Sequence, residues 1–196
     1  MPDKKTIDTY NARADIYVNI VSRTTPDQDL QNFLYTVPKG GKVLDFGCGP
    51  GNSAMMMQDA GLKVDAIDAS SEMVKLAQEK FGVNAKLGTF DDLDAENYYD
   101  GIWANFSLLH APKSDMPRHL SAIHKALKPS GYFHIGLKTG TGSARDDIDR
   151  MYTYYEEEEL CDLLTSAGFT VIAVRKDSME GMAGTNDPFM IVTAHA

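Results

Sequence analysis

The stretch Val43-Leu44-Asp45-Phe46-Gly47-Cys48-Gly49-Pro50-Gly51-Asn52 decides the fold. Its apolar start reads as a strand, and the residues after Asn52 recur at helical spacing, so three glycines stand where a strand turns into a helix. Glycines there leave backbone N–H groups bare and a helix N-terminus open at the sheet edge, where a nucleotide-like ligand approaches without meeting a Cβ. A dinucleotide fingerprint, G-x-G-x-x-G, would need glycine at position 52. Asn52 stands there and the extra glycine falls at Gly51, so the spacing argues against a nicotinamide cofactor. Asp68 closes the next apolar run 21 residues after Gly47, where a carboxylate can accept both hydroxyls of a ribose.

Working outward, short apolar runs at residues 42–46, 63–67, 85–87, 101–104 and 131–137 read as strands. The stretches 53–60, 71–81 and 114–127 carry helical periodicity between them. Ser70 and Ser71 before Glu72 open a helix that Gly82 closes, and Pro129-Ser130-Gly131 turns the chain into the fifth strand. A helix over 156–167 then leads to strands at 169–174 and 189–194, joined by the Gly- and Met-rich stretch Met179–Asp187 as a hairpin. The expectation is an α/β fold: a doubly wound, Rossmann-like sheet of seven mostly parallel strands, the last antiparallel, in a single domain over 1–196. Two segments lie outside the repeat. Residues 6–37 are expected to be helical and to form a lid, and 138–155 a substrate-side loop, mobile until substrate binds.

Composition narrows the partners. The chain has 196 residues and a net charge of −9, which repels nucleic acid and anionic lipid and favours a small-molecule partner. No apolar run is long enough for a membrane span, and MPDKKTIDTY has no apolar stretch after its lysines, so neither membrane insertion nor export is expected. Cys48 and Cys161 stand far apart, which suits a reducing, cytoplasmic location. No H-x-H or H-x-x-x-H pair marks a metal site.

The segment Asp45-Phe46-Gly47-Cys48-Gly49-Pro50-Gly51 resembles motif I of the class I S-adenosylmethionine-dependent methyltransferases, and the resemblance extends over about residues 40–195. It implies S-adenosylmethionine as cofactor, with Asp45, Gly47, Gly49 and Gly51 in its loop, Asp68 on the ribose, and Ala69 beside the adenine. It places Thr89 and Phe90 at the adenine rim, with threonine where an acid is common, and Asn105 near the cofactor's amino group. It also implies that an N-terminal helix lids the cofactor, which gives Tyr10 and Tyr17 a cofactor-facing role; packing of both onto the sheet is the other reading.

Methyl transfer from a sulfonium is an in-line displacement with a neutral leaving group, so alignment and exclusion of water matter most. A base is needed only where the acceptor must lose a proton. His110, just after the fourth strand, is the candidate base, and a helix-start cap is its structural alternative. Arg145, Arg150 and Tyr152 are the candidates for binding an anionic or polar acceptor, against local ion pairing with the neighbouring aspartates. His119, His124, His134 and His195 read as core or solvent histidines. The competing functions are a non-catalytic cofactor-binding sensor or assembly module, and a protein methyltransferase. A short nicotinamide dehydrogenase would need a Tyr-x-x-x-Lys pair, which Tyr132 and Tyr152 do not supply.

Overall fold

The computed structural model describes residues 3–196. Three short helices come first: α1 (Lys4–Ala12), α2 (Ala14–Val21) and α3 (Gln28–Thr36). They are followed by β1 (Lys42–Phe46), α4 (Asn52–Asp59), β2 (Lys63–Asp68), α5 (Ser71–Phe81), β3 (Lys86–Leu87) and β4 (Tyr99–Asn105). The second half runs α6 (Met116–Ala126), β5 (Leu127–Lys138), β6 (Ser143–Arg145), β7 (Met151–Thr153), α7 (Glu157–Ser166), β8 (Thr170–Glu180) and β9 (Asn186–His195). Seven strands form one sheet in the order β3-β2-β1-β4-β5-β9-β8. All neighbours from β3 to β5 are parallel, and β9 runs antiparallel between β5 and β8, as the apolar pattern predicts.

The sheet is buried on both faces, which is why its central strands read as unbroken apolar runs. On one side Leu44, Ile102 and Phe133 pack with Leu120 and Ile123 of α6 and Leu160 and Leu164 of α7. On the other, Val43 and Trp103 pack with Phe33 of α3 and Met56 and Met57 of α4. Gly101 lets α3 approach β4: a Cβ there would lie 2.8 Å from atoms of Phe33 and Val37. Local signals set the helix ends. Ser70 Oγ accepts from the Met73 N–H at 3.2 Å, and Gly82, at φ 65°, ends the same helix.

Three boundaries differ from the sequence reading. The helical segment 6–37 is broken at Arg13, whose φ of −121° and ψ of 18° redirect the chain between α1 and α2. The expected loop 138–155 contains the two-stranded β6–β7 hairpin, because its polar residues bond to each other and to α1. The last hairpin is longer than its apolar cores: β8 and β9 pair out to Glu180 opposite Asn186, leaving only 181–185 as the turn. The pairing is backbone to backbone, so the exposed ends carry no apolar alternation to read.

One buried polar pair crosses the sheet. His134 stacks on Trp103 with ring centroids 3.6 Å apart, and its Nε2 meets Asn105 Oδ1 at 3.1 Å. Burial disfavours the imidazolium and brings the His134 pKa down to about 3. The unfolded chain takes up that proton near pH 6.5, so the contribution of neutral His134 is present above pH 6.5 and lost as pH falls toward 3. His134→Gln, which keeps an N–H donor for Asn105, should flatten the decline of stability over this window. Urea midpoints at pH 6.5 and pH 4 check this, and an unchanged slope would assign the titration elsewhere.

Candidate active site

The glycine turn is built by backbone hydrogen bonds. The N–H groups of Gly47 and Cys48 both donate to the Ile67 carbonyl, at 2.9 and 3.0 Å, and the Gly49 N–H donates to Asp68 Oδ2 at 2.8 Å. Gly47, at φ 80°, has no room for a side chain: a Cβ would lie 2.3 Å from Ser107 Cβ. Ser107 in turn donates its Oγ–H to the Phe46 carbonyl at 2.6 Å, tying the segment after β4 to the turn after β1. Gly51 caps α4 at φ 87°, and a Cβ there would lie 2.9 Å from Ala77 Cβ, so its role is close helix packing.

A cleft of about 920 Å³, measured out to its open mouth, lies along the carboxyl ends of β1, β2 and β4. Gly47, Gly49, Asp68, Ala69 and Asn105 line it. Thr89 and Phe90 close one end, and Tyr10, Tyr17 and His110 close the other side. Asp45 and Gly51, assigned from sequence to the same loop, are not on the cleft wall. Asp45 is 3% exposed beneath the turn, its Oδ2 without a hydrogen-bond partner, and burial raises its pKa to about 8. Asn105 Oδ1 is engaged by His134, and the Thr89 hydroxyl is engaged in a capping box with Asp92.

The N-terminal helices cover the cleft. Tyr10 of α1 and Tyr17 of α2 meet edge to face at 5.3 Å, so the break at Arg13 still leaves both rings over the glycine turn. The Tyr10 hydroxyl lies 2.8 Å from His110 Nε2, and His110 Nδ1 lies 2.7 Å from the Met151 carbonyl. A carbonyl only accepts, so Nδ1 carries the hydrogen, Nε2 is the acceptor, and Tyr10 donates to it. Burial holds the His110 pKa down at about 4, aided by the Arg150 and Lys138 charges, and raises that of Tyr10. Arg145, Arg150 and Tyr152 are not among the residues of the cleft wall. Arg145 pairs with Asp3 at 2.6 Å, and Arg150 with Asp146 at 2.7 Å. Tyr152 lies under the Lys138 ammonium, 3.8 Å from its ring centroid.

His119, read from the sequence as a core or solvent histidine, is buried at 3% exposed and also reaches the cleft. It lines the cleft beside Phe90, 5.6 Å between ring centroids, with a buried Nδ1 that has no hydrogen-bond partner. The signal was available in the α6 period: Met116, Leu120 and Ile123 are buried, and position 119 shares their face. Asp3, Thr6 and Ile7 also reach the cleft, a consequence of how α1 lies that local pattern does not encode.

Residues 43–131 match the model of a methyltransferase domain. A methyltransferase of Staphylococcus carnosus is 29% identical over 165 residues, 83% of this chain and 75% of that one. A ubiquinone biosynthesis O-methyltransferase of Xanthomonas axonopodis is 32% identical over 114 residues, 55% of this chain and 47% of its own length. The chain thus spans under half of that relative. In fold it is similar to the 1,6-didemethyltoxoflavin-N1-methyltransferase of Burkholderia thailandensis, with a TM-score of 0.73 at 24% identity, covering 96% and 84% of the two chains. Residues 43–131 thus carry the methyltransferase domain, and the chain is similar to the class I S-adenosylmethionine-dependent methyltransferases. The cofactor of this family fits the residues present. Bare glycines admit it to the turn, and the Asp68 carboxylate, held by the backbone N–H groups of Gly49, Ser70 and Ala69, faces the cleft where a ribose hydroxyl would lie. The methyltransferase's Asp68→Ala variant should lose about 1.5–3 kcal/mol of S-adenosylmethionine affinity by calorimetry, as expected for hydrogen bonds to a charged acceptor. A second outcome concerns Asp45 in the cofactor-free protein. Its raised pKa makes its contribution to stability fully present below about pH 4 and lost by about pH 8, so Asp45→Asn should remove that decline in urea titrations.

Proposed function

We propose that this methyltransferase acts on a small-molecule acceptor bearing an O–H or N–H, which docks beside Tyr10 and His110. The observation that carries this reading is the oriented hydrogen bond from Tyr10 to the bare Nε2 of a neutral histidine at the cleft wall. Such a pair is needed where an acceptor must give up a proton, and an acceptor that is already an anion would not require it. The lining agrees in charge: among the described residues no Lys or Arg faces the cleft, and of its acids Asp3, Asp91 and Asp115 are paired with Arg145 and Arg118 from behind while Asp68 accepts backbone N–H groups. An acceptor neutral or cationic at the attacking atom suits that wall better than the anionic one suggested by Arg145 and Arg150 in sequence. The relatives named above methylate oxygen in one case and nitrogen in another, and the pair serves either atom.

When bound, S-adenosylmethionine supplies an electrophilic methyl on sulfur. Tyr10 Oη would accept the acceptor's proton and pass its own to His110 Nε2, while the bound cofactor would give up its methyl and leave as the neutral thioether. His110 keeps its Nδ1–H on the Met151 carbonyl throughout, which holds the ring in place as it becomes an imidazolium. Burial disfavours the imidazolium, so His110 holds this proton only briefly and the pair is restored between turnovers. Tyr17 and the α1–α2 cover exclude water from the same space.

Turnover with an acceptor selected by thermal-shift screening tests the reading. Tyr10→Phe and His110→Ala should each lower kcat by roughly 10²–10⁴, the range for general acid–base groups, while S-adenosylmethionine affinity in His110→Ala stays near that of the parent. Cofactor binding without methylated product from any acceptor would favour the sensor reading instead.

A further inference from the structure

Behind Tyr10 lies a charge that the proton relay does not itself consume. The Arg150 side chain is 3% exposed, just before β7. Its Nε and Nη2 both donate to Asp146 Oδ2, at 2.9 and 2.7 Å, and its Nη1 donates to Tyr10 Oη at 3.2 Å. The guanidinium carbon also stands 5.5 Å from the Tyr10 ring centroid and 5.1 Å from that of Tyr152.

A guanidinium donates and never accepts, so Arg150 occupies a lone pair of Tyr10 Oη from behind. At the far end the Met151 carbonyl accepts and never donates. The Met151 end fixes the polarity, with His110 donating to Met151 and Tyr10 donating to His110, while Arg150 and the Tyr152 side chain bond the hydroxyl of Tyr10 from its other side. We infer that Arg150 is a positioning residue, which aims the tyrosine proton at His110 Nε2 and, through Asp146, anchors that alignment to the turn before β7. This inference rests on the reading of Tyr10 and His110 as the proton-accepting pair.

The charged and titratable groups around His110 are few. Tyr10 faces it from α1, Arg150, Asp146 and Tyr152 from the β6–β7 segment, and Lys138 from the end of β5. Lys138 is matched by Asp187 at 2.6 Å, and Asp146 is spent on Arg150. Removing Arg150 therefore changes both the direction of the Tyr10 proton and the field at the imidazole.

The test needs no acceptor. With ¹⁵N-labelled histidine in the ligand-free full chain, wild-type His110 should show the Nδ1–H tautomer and titrate near pH 4. Arg150→Met should raise the proton affinity of His110 roughly tenfold or more and move its Nε2 ¹⁵N shift as the Tyr10 hydrogen bond loosens, while Arg150→Lys, which keeps a cationic donor, should return toward wild type. An unchanged His110 midpoint and Nε2 shift in a folded Arg150→Met protein would overturn the inference and favour direct acceptor binding by Arg150. Should Arg150→Met fail to fold, Asp146→Asn loosens the guanidinium without deleting it. A moved Nε2 shift there supports the role, and an unchanged one overturns it. Failure of the underlying reading looks different: His110→Ala would turn over as fast as the parent while the spectroscopic effect of Arg150 persisted.

Discussion

The site depends on one shared acceptor. Two consecutive N–H groups, of Gly47 and Cys48, converge on the Ile67 carbonyl, and the next residue on each side adds a second tie, from the Gly49 N–H to the Asp68 carboxylate. These bonds hold the turn after β1 against the end of β2, and they require positive φ at Gly47 and Gly49. Once the turn is fixed, Ser107 fits against Gly47 and reaches the Phe46 carbonyl, so the segment carrying His110 takes its position from the same point. The cleft is the space left between these three strand ends and the helices that cross them.

Most of the scaffold was legible because its information is local. Alternation of apolar runs with helical periods, Ser70 before a helix and Gly82 after it, and glycines between a strand and a helix each act within a few residues. The cofactor side of the cleft followed for the same reason, since Gly47, Gly49 and Asp68 all stand at ends of strands. Asp45 and Gly51 show the limit of a motif. Both belong to the glycine segment, yet one lies beneath the turn and the other packs on Ala77, because a seven-residue stretch winding through a tight turn cannot present every residue to one side.

The acceptor side was less legible because its contacts are not local. Tyr10 meets His110 across 100 positions, Arg150 meets Tyr10 across 140, and Arg145 meets Asp3 across 142. The sequence offers Arg145 and Arg150 either to an acceptor or to the neighbouring aspartates, without showing which partner wins. Here Asp146 takes Arg150 and the distant Asp3 takes Arg145, so both positive charges are paired within the cover and neither faces the cleft.

That division of charge also explains how α1 can be a cover without a large apolar face of its own. Thr6 is its sole buried residue, and what holds the helix is a set of polar bonds: Thr9 Oγ1 to the Ile148 carbonyl, the Met151 N–H to Thr6 Oγ1, Arg145 to Asp3 and Arg150 to Tyr10. Each such bond contributes only about 0.5–1.5 kcal/mol net, or somewhat more where a charge takes part, so the cover is held by several modest ties in place of one deep hydrophobic contact. Polar ties exchange with water at little cost, whereas reopening an apolar interface exposes its whole area at once. A helix that must admit a cofactor as large as S-adenosylmethionine and release its product is better served by the first kind of attachment. One of these bonds, from Arg150, also reaches the Tyr10 hydroxyl, so the tie that holds the cover is shared with the proposed relay.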